Sequence, residues 1–308
     1  MNALAPLVVI AGPTGSGKSD LATALAETFR GEIVNCDSLQ LYRYLNIGTA
    51  KTPEAERRGI PHHLFDILDP DQLFTAGDYS RLARASVKEI AGRGKLPIVT
   101  GGTGFYLRAL LDGLFPGPVR NNELRARLAA RPLSLHKLLR RFDPLAAVRI
   151  HANDTNKLIR AVEVCLLARR PITALHAEGS EPLEGFRVLK IGLDPPRAEL
   201  VERLNHRCNK MFEAGLVAEV EQVLALGYPP TSKAFESIGY REALLYLNGE
   251  LTLENAITET QTATRQYSKR QRTWFRREPD IMWLEAFGHL SQTMETANRH
   301  VQNLLNIS

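Results

Sequence analysis

A glycine-rich loop near the start of the chain has residue types that could bind a phosphate. Residues 12–19 follow an apolar run and match the pattern G-x-x-x-x-G-K-S. In such loops backbone N–H groups surround an anion, the lysine neutralises an outer phosphate, and the last hydroxyl suits Mg²⁺. We therefore expect Lys18 at the phosphate and Ser19 as the Mg²⁺ ligand. The predicted phosphate site comprises Gly12, Pro13, Thr14, Gly15, Ser16, Gly17, Lys18 and Ser19.

A nucleotide-hydrolysing enzyme with this loop also needs an aspartate after a nearby apolar strand, to hold Mg²⁺. The best-formed later strand, LPIVTGGT, ends without an acid. The remaining candidates are Asp37, after GEIVNC, and Asp66, within HLFDI. Asp37 lies among polar residues, which suits a carboxylate facing a substrate amine or hydroxyl as well as one holding metal. Nucleotide hydrolysis is therefore weakened as an interpretation but not excluded.

Three glycines and a threonine follow that later strand, in VTGGTG. Ligands of open α/β sheets bind at the carboxyl ends of the strands, so this segment is a candidate ligand site, with a simple turn as the alternative. His62 and His63 could bind metal, but adjacent strand residues point to opposite faces. A single metal shared by both histidines is therefore disfavoured.

Positive charge is concentrated in two segments. Residues 264–278 contain six Lys and Arg side chains with aromatic residues between them, and residues 120–141 form a second basic stretch. Basic side chains interleaved with aromatics are typical of a surface for a polyanion such as RNA. A solvated helix face is the alternative for either stretch alone.

Apolar strand patterns alternate with helical patterns in the first hundred residues, which predicts an α/β fold. We expect a P-loop NTPase-like parallel sheet flanked by helices. From about Pro116 the sequence is helical in period and rich in Arg and Leu, which indicates a helical insertion domain. The predicted boundaries are 1–118 for the first part of the core, 119–187 for the insertion, and 188–308 for the second part with basic helices.

The composition, 44% hydrophobic and 24% charged, is that of a globular protein. No apolar run approaches the roughly 20 residues that span a bilayer. The first residues resemble a core strand rather than a signal peptide, so we expect a cytoplasmic protein without a membrane partner. The three cysteines form no C-x-x-C pair, which disfavours a zinc site or a disulfide framework.

Seven segments, in this order along nearly the whole chain, resemble the bacterial tRNA dimethylallyltransferases, also called tRNA isopentenyltransferases. They are GPTGSGKS, NCDSLQLYRYLNIGTAK, GIPHHLFDILDP, VTGGTGFYLRALLDGL, HANDTNKLIRAVEV, SIGYRE and TATRQYSKRQRTWFRR. The second and last segments are far more specific than the phosphate loop. Gly15 stands where the family more often has alanine, and VRNNELR replaces a more acidic run.

The resemblance implies transfer of a dimethylallyl group from dimethylallyl diphosphate to the N6 amine of the adenosine 3′ of certain anticodons, with diphosphate released. The loop then holds that diphosphate with Mg²⁺ on Ser19. Asp37 matches the general base, Gln40 a residue that hydrogen-bonds the adenine, and Thr103 a substrate-contacting threonine. The implied catalytic residues are Asp37, Thr103 and Lys18. In this family one substrate enters at each mouth of a channel.

The resemblance also implies a tRNA anticodon stem-loop as partner, no DNA, and a monomer. Arg203 and Arg207 are possible further contacts of the diphosphate. The residues that match tRNA-contacting positions are Asp37, Ser38, Leu39, Gln40, Thr103, Arg125, Asn156, Lys157, Leu158, Ile159, Arg160, Arg265, Gln266, Lys269 and Arg270.

Three rival functions stay open at this stage. An adenylate isopentenyltransferase would share the loop and Asp37 but would have less use for a basic surface. A P-loop small-molecule kinase would need a nucleoside triphosphate pocket and an acceptor hydroxyl. A non-catalytic RNA-binding module would use the loop only to sense nucleotide.

Overall fold

The computed structural model describes residues 4–306. Within these residues six strands form one sheet: β1 (Ala5–Ala11), β2 (Gly31–Asn35), β3 (His62–His63), β4 (Leu96–Thr100), β5 (Phe186–Leu193) and β6 (Ile281–Leu284). The strand order is β3-β2-β4-β1-β5-β6, and every pairing is parallel. The predicted parallel α/β sheet is confirmed.

Helices connect and flank these strands. The α-helices of residues 4–306 are α1 (Lys18–Phe29), α2 (Ala76–Gly92), α3 (Gly104–Leu111), α4 (Asn122–Ala129), α5 (Pro132–Phe142), α6 (Pro144–Arg149), α7 (Thr155–Ala168), α8 (Ile172–Ala177), α9 (Arg197–Glu213), α10 (Leu216–Ala225), α11 (Tyr240–Leu247), α12 (Leu253–Phe275) and α13 (Ser291–Asn306).

The central strands are short apolar runs, as expected for strands of a parallel sheet that is covered by helices. All of β2 and β4 is buried, as is most of β1. Leu21 and Leu25 of α1 pack with Val301 of α13 against the sheet residues Ile10 and Ile98. This core fixes the sheet on which the site is built.

The register brings three neighbouring strand ends to the same level. Ile10 of β1 is opposite Thr100 of β4, and Asn35 of β2 is opposite the same threonine. The segments that follow these strands therefore leave the sheet at one edge. They are residues 12–17, 36–40 and 101–103, so the sheet itself collects the predicted site residues.

The structure differs from the sequence prediction at several elements. HHLFDI does not continue as a strand, because Leu64 and Asp66 have φ of 62° and 55° and only His62–His63 pairs. The long helical pattern after residue 197 is interrupted at Gly215, where φ is 98°. The helices α11 and α13 were not predicted.

The insertion forms a compact unit of its own, Leu111–Leu183, and the rest of the chain forms the other. Helices α4–α8 lie in the insertion and share a core of apolar side chains. The predicted insertion, 119–187, begins eight residues after this unit begins and ends four residues after it ends. The backbone N–H of Leu183 donates to Leu111 O at 2.7 Å, and Phe186 and Arg187 already pair with β1.

No helix within residues 4–306 is both long and apolar enough to cross a membrane.

Candidate active site

The loop after β1 is packed so closely that its glycines are required. Gly12 and Gly17 have φ of 143° and 87°, which side-chain-bearing residues rarely adopt. A Cβ on Gly12 would lie 2.6 Å from the carbonyl oxygen of Leu193, and one on Gly17 would lie 2.8 Å from the nitrogen of Gly288. The loop is therefore held in one conformation between β5 and the segment before α13.

Lys18 is the first residue of α1, and its amine folds back over the loop. Its Nζ donates a hydrogen bond to the carbonyl oxygen of Pro13 at 2.7 Å. Burial lowers the pKa of Lys18 to about 8, although the nearby carboxylate of Asp37 opposes this shift. An anion placed beside this buried amine would stabilise its protonated form.

A cavity lies against this loop, and we call it the loop cavity. Its wall includes Lys18, Asp37, Thr100, Arg203 and Arg207. The side chain of Arg207 reaches the loop, because its Nη2 donates to the hydroxyl of Thr14 at 2.8 Å. The loop cavity is therefore lined by three cationic side chains around a phosphate-binding type of loop.

Two buried polar atoms at the loop have no hydrogen-bond partner within residues 4–306. They are Ser16 Oγ and Arg207 Nε. Burial also lowers the pKa of Arg207, because the charged guanidinium is poorly solvated. Unpaired buried donors are rare in native proteins, and Arg207 lines the loop cavity, so an anionic group there is the fitting partner for its guanidinium.

Asp37 lies just beyond β2, and the neighbouring residues Asn35 and Leu39 hold its position. Its N–H donates to Asn35 Oδ1 at 2.8 Å, and its Oδ1 accepts from the N–H of Leu39 at 2.9 Å. Asn35 is fully buried and also donates to Leu64 O at 2.9 Å. The carboxylate of Asp37 is thus fixed in direction through Oδ1.

Thr103, which follows β4, contacts the segment that carries Asp37, although it lines neither the loop cavity nor the larger cavity that adjoins it. Its hydroxyl oxygen accepts a hydrogen bond from the backbone nitrogen of Ser38 at 3.0 Å. The N–H of Thr103 donates to Cys36 O at 3.1 Å. The structure therefore brings Thr103 and the Asp37 segment together, as predicted from two distant parts of the sequence.

A larger cavity of about 470 Å³ adjoins the loop cavity, and we call it the aromatic cavity. Tyr42, Phe74, Tyr106 and Tyr267 lie in its wall, together with Ser38 and Leu39. Both cavities share four residues: Thr14, Asp37, Thr49 and Arg207. Asp37 thus borders a cationic cavity on one side and an aromatic cavity on the other.

Gln40 lies in the wall of the loop cavity. Its Nε2 donates to the carbonyl oxygen of Thr49 at 3.1 Å. Glu219 fixes the segment that carries Thr49, because its carboxylate accepts hydrogen bonds from the N–H groups of Asn46 and Ile47 at 3.0 Å. The same carboxylate accepts a hydrogen bond from the hydroxyl of Tyr240 at 2.5 Å. The carboxamide of Gln40 is thus oriented by a fixed loop.

Helix α12 places its basic residues in different environments. Arg265 donates to Asn205 Oδ1 at 2.6 Å and is therefore turned toward α9. Gln266, Lys269 and Arg270 are exposed on a concave surface that also includes Trp274. Three of the four predicted residues of this helix are thus available to a partner. The side chain of Arg265 is partly engaged.

The predicted tRNA-contacting residues of the insertion divide into buried and exposed groups. Leu158 and Ile159 are 1% and 8% exposed and belong to its core, so their side chains support the helix rather than face a partner. A contact of this stretch with tRNA would therefore be made by its exposed side chains and not by those of Leu158 and Ile159. Asn156 and Lys157 are exposed at the start of α7.

Arg125 and Arg160, also predicted to contact tRNA, bind the buried carboxylate of Glu163. Arg125 donates to both carboxylate oxygens at 2.9 and 2.8 Å, and Arg160 donates to Oε2 at 2.8 Å. Burial opposes ionisation of Glu163, but these hydrogen bonds prevail and lower its pKa to about 2. The two arginines are thus fixed at the surface of the insertion.

The alternative metal candidates have other partners. Asp66 forms an ion pair with Lys51 at 2.6 Å, and His63 hydrogen-bonds Glu32 at 2.7 Å. Within residues 4–306 no group of three or more His, Cys, Asp or Glu side chains is placed to hold a metal ion. A metal at the loop would therefore be held largely by substrate oxygens together with Ser19, which is exposed in the loop cavity.

Sequence reasoning missed several residues that shape the site. Gln271, Glu219 and Tyr240 are buried, and each hydrogen-bonds a segment that lines a cavity. A signal for Gln271 was present in the glycines of VTGGTG, because a Cβ on Gly102 would lie 2.1 Å from Gln271 Nε2. A glycine at such a position indicates that another group packs closely against the backbone, but it does not identify that group.

The chain is similar to known proteins over almost its whole length. The family model described as IPP transferase matches residues 40–278. A Solibacter usitatus protein named tRNA dimethylallyltransferase is 58% identical, and the alignment covers 97% of this chain and 99% of that protein. A Koribacter versatilis protein of the same name is 56% identical, with 92% of this chain and 93% of that protein covered.

Solved structures agree. The tRNA isopentenylpyrophosphate transferase of Bacillus halodurans is 35% identical with a TM-score of 0.73, and 98% of this chain and 97% of that chain are covered. A eukaryotic dimethylallyltransferase described as acting on tRNA is 29% identical with a TM-score of 0.81. The likeness covers 97% of this chain and 78% of that one.

Proposed function

This chain belongs to the IPP transferase family, and from that premise we propose that it transfers a dimethylallyl group to tRNA. The donor is dimethylallyl diphosphate, and the acceptor is the N6 amine of the adenosine 3′ of the anticodon. The single observation that carries this proposal is the position of Asp37, which borders the loop cavity and the aromatic cavity at once.

The loop cavity suits the diphosphate of the donor. Lys18, Arg203 and Arg207 of its wall supply positive charge, and the buried Nε of Arg207 has no hydrogen-bond partner within residues 4–306. Negative charge grows on the diphosphate as the bond to the dimethylallyl carbon breaks. Fixed donors and cations at that place stabilise the leaving group.

The aromatic cavity suits a base extruded from RNA. Its tyrosines and Phe74 provide apolar faces for stacking, and a volume of about 470 Å³ lies within the range of ligand sites. The base then lies on the far side of Asp37 from the diphosphate. The acceptor amine and the donor carbon meet at this residue. Gln40, which the resemblance assigns to the adenine, lines the loop cavity and not the aromatic cavity.

The reaction needs one proton acceptor. The N6 lone pair forms a bond to the dimethylallyl carbon that carries the diphosphate. The bond from this carbon to the diphosphate oxygen breaks, and its electron pair stays on the diphosphate. The amine must lose one proton, which Asp37 accepts. Because Leu39 N–H and Asn35 hold Asp37, its carboxylate is aimed before substrate arrives.

Mg²⁺ fits the donor site through Ser19 and the diphosphate oxygens. When bound, it neutralises charge on the leaving diphosphate. The loop, Lys18 and Arg207 orient the diphosphate beside it.

The basic surfaces suit the tRNA. Lys269 and Arg270 of α12 are exposed beside Trp274, and Asn156 and Lys157 are exposed on the insertion. Phosphate contacts of this kind give binding that weakens with salt, because counterions are released. We place the enzyme in the cytoplasm as a monomer, where the anticodon arm of free tRNA is its partner.

A labelled transfer assay tests the proposal. Protein and Mg²⁺ are mixed with radiolabelled dimethylallyl diphosphate and either unmodified tRNA or AMP, and a third reaction contains ATP without the prenyl donor. The expected result is label on tRNA alone. Label on AMP alone would instead indicate an adenylate isopentenyltransferase, and ATP consumption without label would indicate a kinase or hydrolase.

A further inference from the structure

Gln271 lies between the phosphate loop and the segment that carries Thr103. Its side chain is 5% exposed, on the inner face of α12. Its Oε1 accepts a hydrogen bond from the backbone nitrogen of Thr14 at 2.8 Å. Its Nε2 donates to the carbonyl oxygen of Gly102 at 2.9 Å. One carboxamide therefore joins the loop after β1 to the segment after β4.

The fit around this carboxamide leaves no space. A Cβ on Gly102 would lie 2.1 Å from Gln271 Nε2, and one on Gly104 would lie 2.1 Å from Trp274 Cδ1. Helix α12 therefore lies directly on the backbone of residues 102–104. The position of Thr103 depends on that contact, since Thr103 is between these two glycines.

Thr14 is held from a second helix as well. Arg207 of α9 donates to its hydroxyl at 2.8 Å, while Gln271 of α12 takes its N–H. Thr14 lies in the walls of both cavities. The two helices thus fix the part of the loop that borders both the loop cavity and the aromatic cavity.

We propose that Gln271 is a positioning residue for the transfer reaction. It sets the separation between the loop that holds the diphosphate and the segment that places Thr103 beside Asp37. This inference rests on the proposed transfer function for its effect on rate. Gln271 uses its amide oxygen and one amide hydrogen on protein backbone, and its carboxamide also interacts with the hydroxyl of Tyr267, so it acts through these groups.

Space filling alone does not explain a glutamine here. An apolar side chain of the same length would fill the same volume, but it would leave the N–H of Thr14 and the carbonyl of Gly102 unpaired. Buried backbone groups without partners are costly, so both segments would shift toward other partners. A shift of about 1 Å between reacting groups is sufficient to slow an enzyme strongly.

The variant Gln271→Met tests this, because methionine keeps the length of the side chain and removes both hydrogen bonds. Gln261→Met is the matched control on the same helix, where Gln261 bonds Asn209 Oδ1 at 2.8 Å away from the site residues. The measurements are the Kd of inorganic diphosphate with Mg²⁺, the rate and amplitude of single-turnover transfer, and the Kd of tRNA.

We expect Gln271→Met to weaken diphosphate binding about tenfold and to slow single-turnover transfer at least tenfold, with tRNA affinity within twofold. Gln261→Met should match the wild type. A merely structural role would lower the amplitude, through loss of folded protein, without changing the rate constant or the Kd. That result would overturn the inference.

A second variant, Gln271→Glu, keeps the acceptor for Thr14 but places a carboxylate oxygen against Gly102 O. We expect a similar loss of diphosphate affinity, and wild-type affinity in either folded variant would contradict the proposal. If the wild type binds diphosphate but labels no tRNA, the proposed function fails. The diphosphate measurements then still decide whether Gln271 holds the loop.

Discussion

The hydroxyl oxygen of Thr103 lies 3.0 Å from the backbone nitrogen of Ser38, the residue after Asp37. Thr103 follows β4 and Ser38 follows β2, and these strands are neighbours in the sheet. The hydrogen bond thus joins the two strand ends that carry the proposed catalytic groups. It makes the direction of the Asp37 segment depend on a side chain 65 residues away.

We predict that Thr103→Val lowers kcat by about 10- to 100-fold. The loss of one hydrogen bond and the unpaired N–H of Ser38 correspond to about 1–3 kcal/mol, which is a rate change of this size. Thr103→Ser keeps the hydroxyl and should retain most of the activity. Steady-state transfer kinetics with both variants check this, and an unchanged kcat in Thr103→Val would show that the hydroxyl does not position the site.

We predict that Glu163→Gln destabilises the insertion by about 3 kcal/mol, since it removes a buried charge from between Arg125 and Arg160. The control is Glu123→Gln, whose carboxylate is 83% exposed and 3.7 Å from Arg127, and it should change stability by less than about 1 kcal/mol. Denaturant unfolding followed within the insertion measures both. Equal effects of the two substitutions would contradict the importance of the buried cluster.

The buried carboxylate of Glu163 should also make the protein less stable in acid. The pKa of Glu163 is lowered from 4.5 to about 2 in the folded protein, so the folded state binds fewer protons than the unfolded state between these values. The contribution is complete above pH 4.5 and is lost as the pH falls toward 2. Glu163→Gln should therefore show a smaller decrease in stability over this range than the wild type.

We predict that the affinity for dimethylallyl diphosphate falls as the pH rises above about 8. Burial holds the pKa of Lys18 at about 8, and only the protonated amine attracts the diphosphate. The Kd should rise toward about tenfold per pH unit above that value. Lys18→Arg is the control, because arginine stays charged over this range. Calorimetric titrations from pH 7 to 9.5 would contradict the assignment if both proteins showed the same slope.

Much of the fold followed from local patterns. The apolar runs of β1, β2 and β4 and the helical patterns between them predict elements that the structure contains. The sequence predicted too long a strand at β3. The positive φ of Leu64 and Asp66, which ends the strand, depends on contacts with distant residues such as Asn35. Local propensity does not carry that information.

The parts of the candidate site formed by contiguous residues were predictable from the sequence. The parts that depend on contacts between distant residues were not. Residues 12–19 and 37–40 lie where the sequence indicates, because each follows a strand directly. Gln271, Glu219 and Tyr240 act through side-chain hydrogen bonds to segments far away in sequence. The burial of Leu158 and Ile159 was likewise set by packing within the insertion, which a matched motif does not show.

The role of Asp37 is the central claim, and single-turnover transfer by Asp37→Asn tests it most directly. Asparagine keeps an oxygen for the N–H of Leu39 but cannot accept the proton of the amine. We predict a rate loss of about 100- to 10,000-fold, with the affinities for tRNA and for dimethylallyl diphosphate within about twofold of the wild type. Transfer by Asp37→Asn at the wild-type rate would contradict the account.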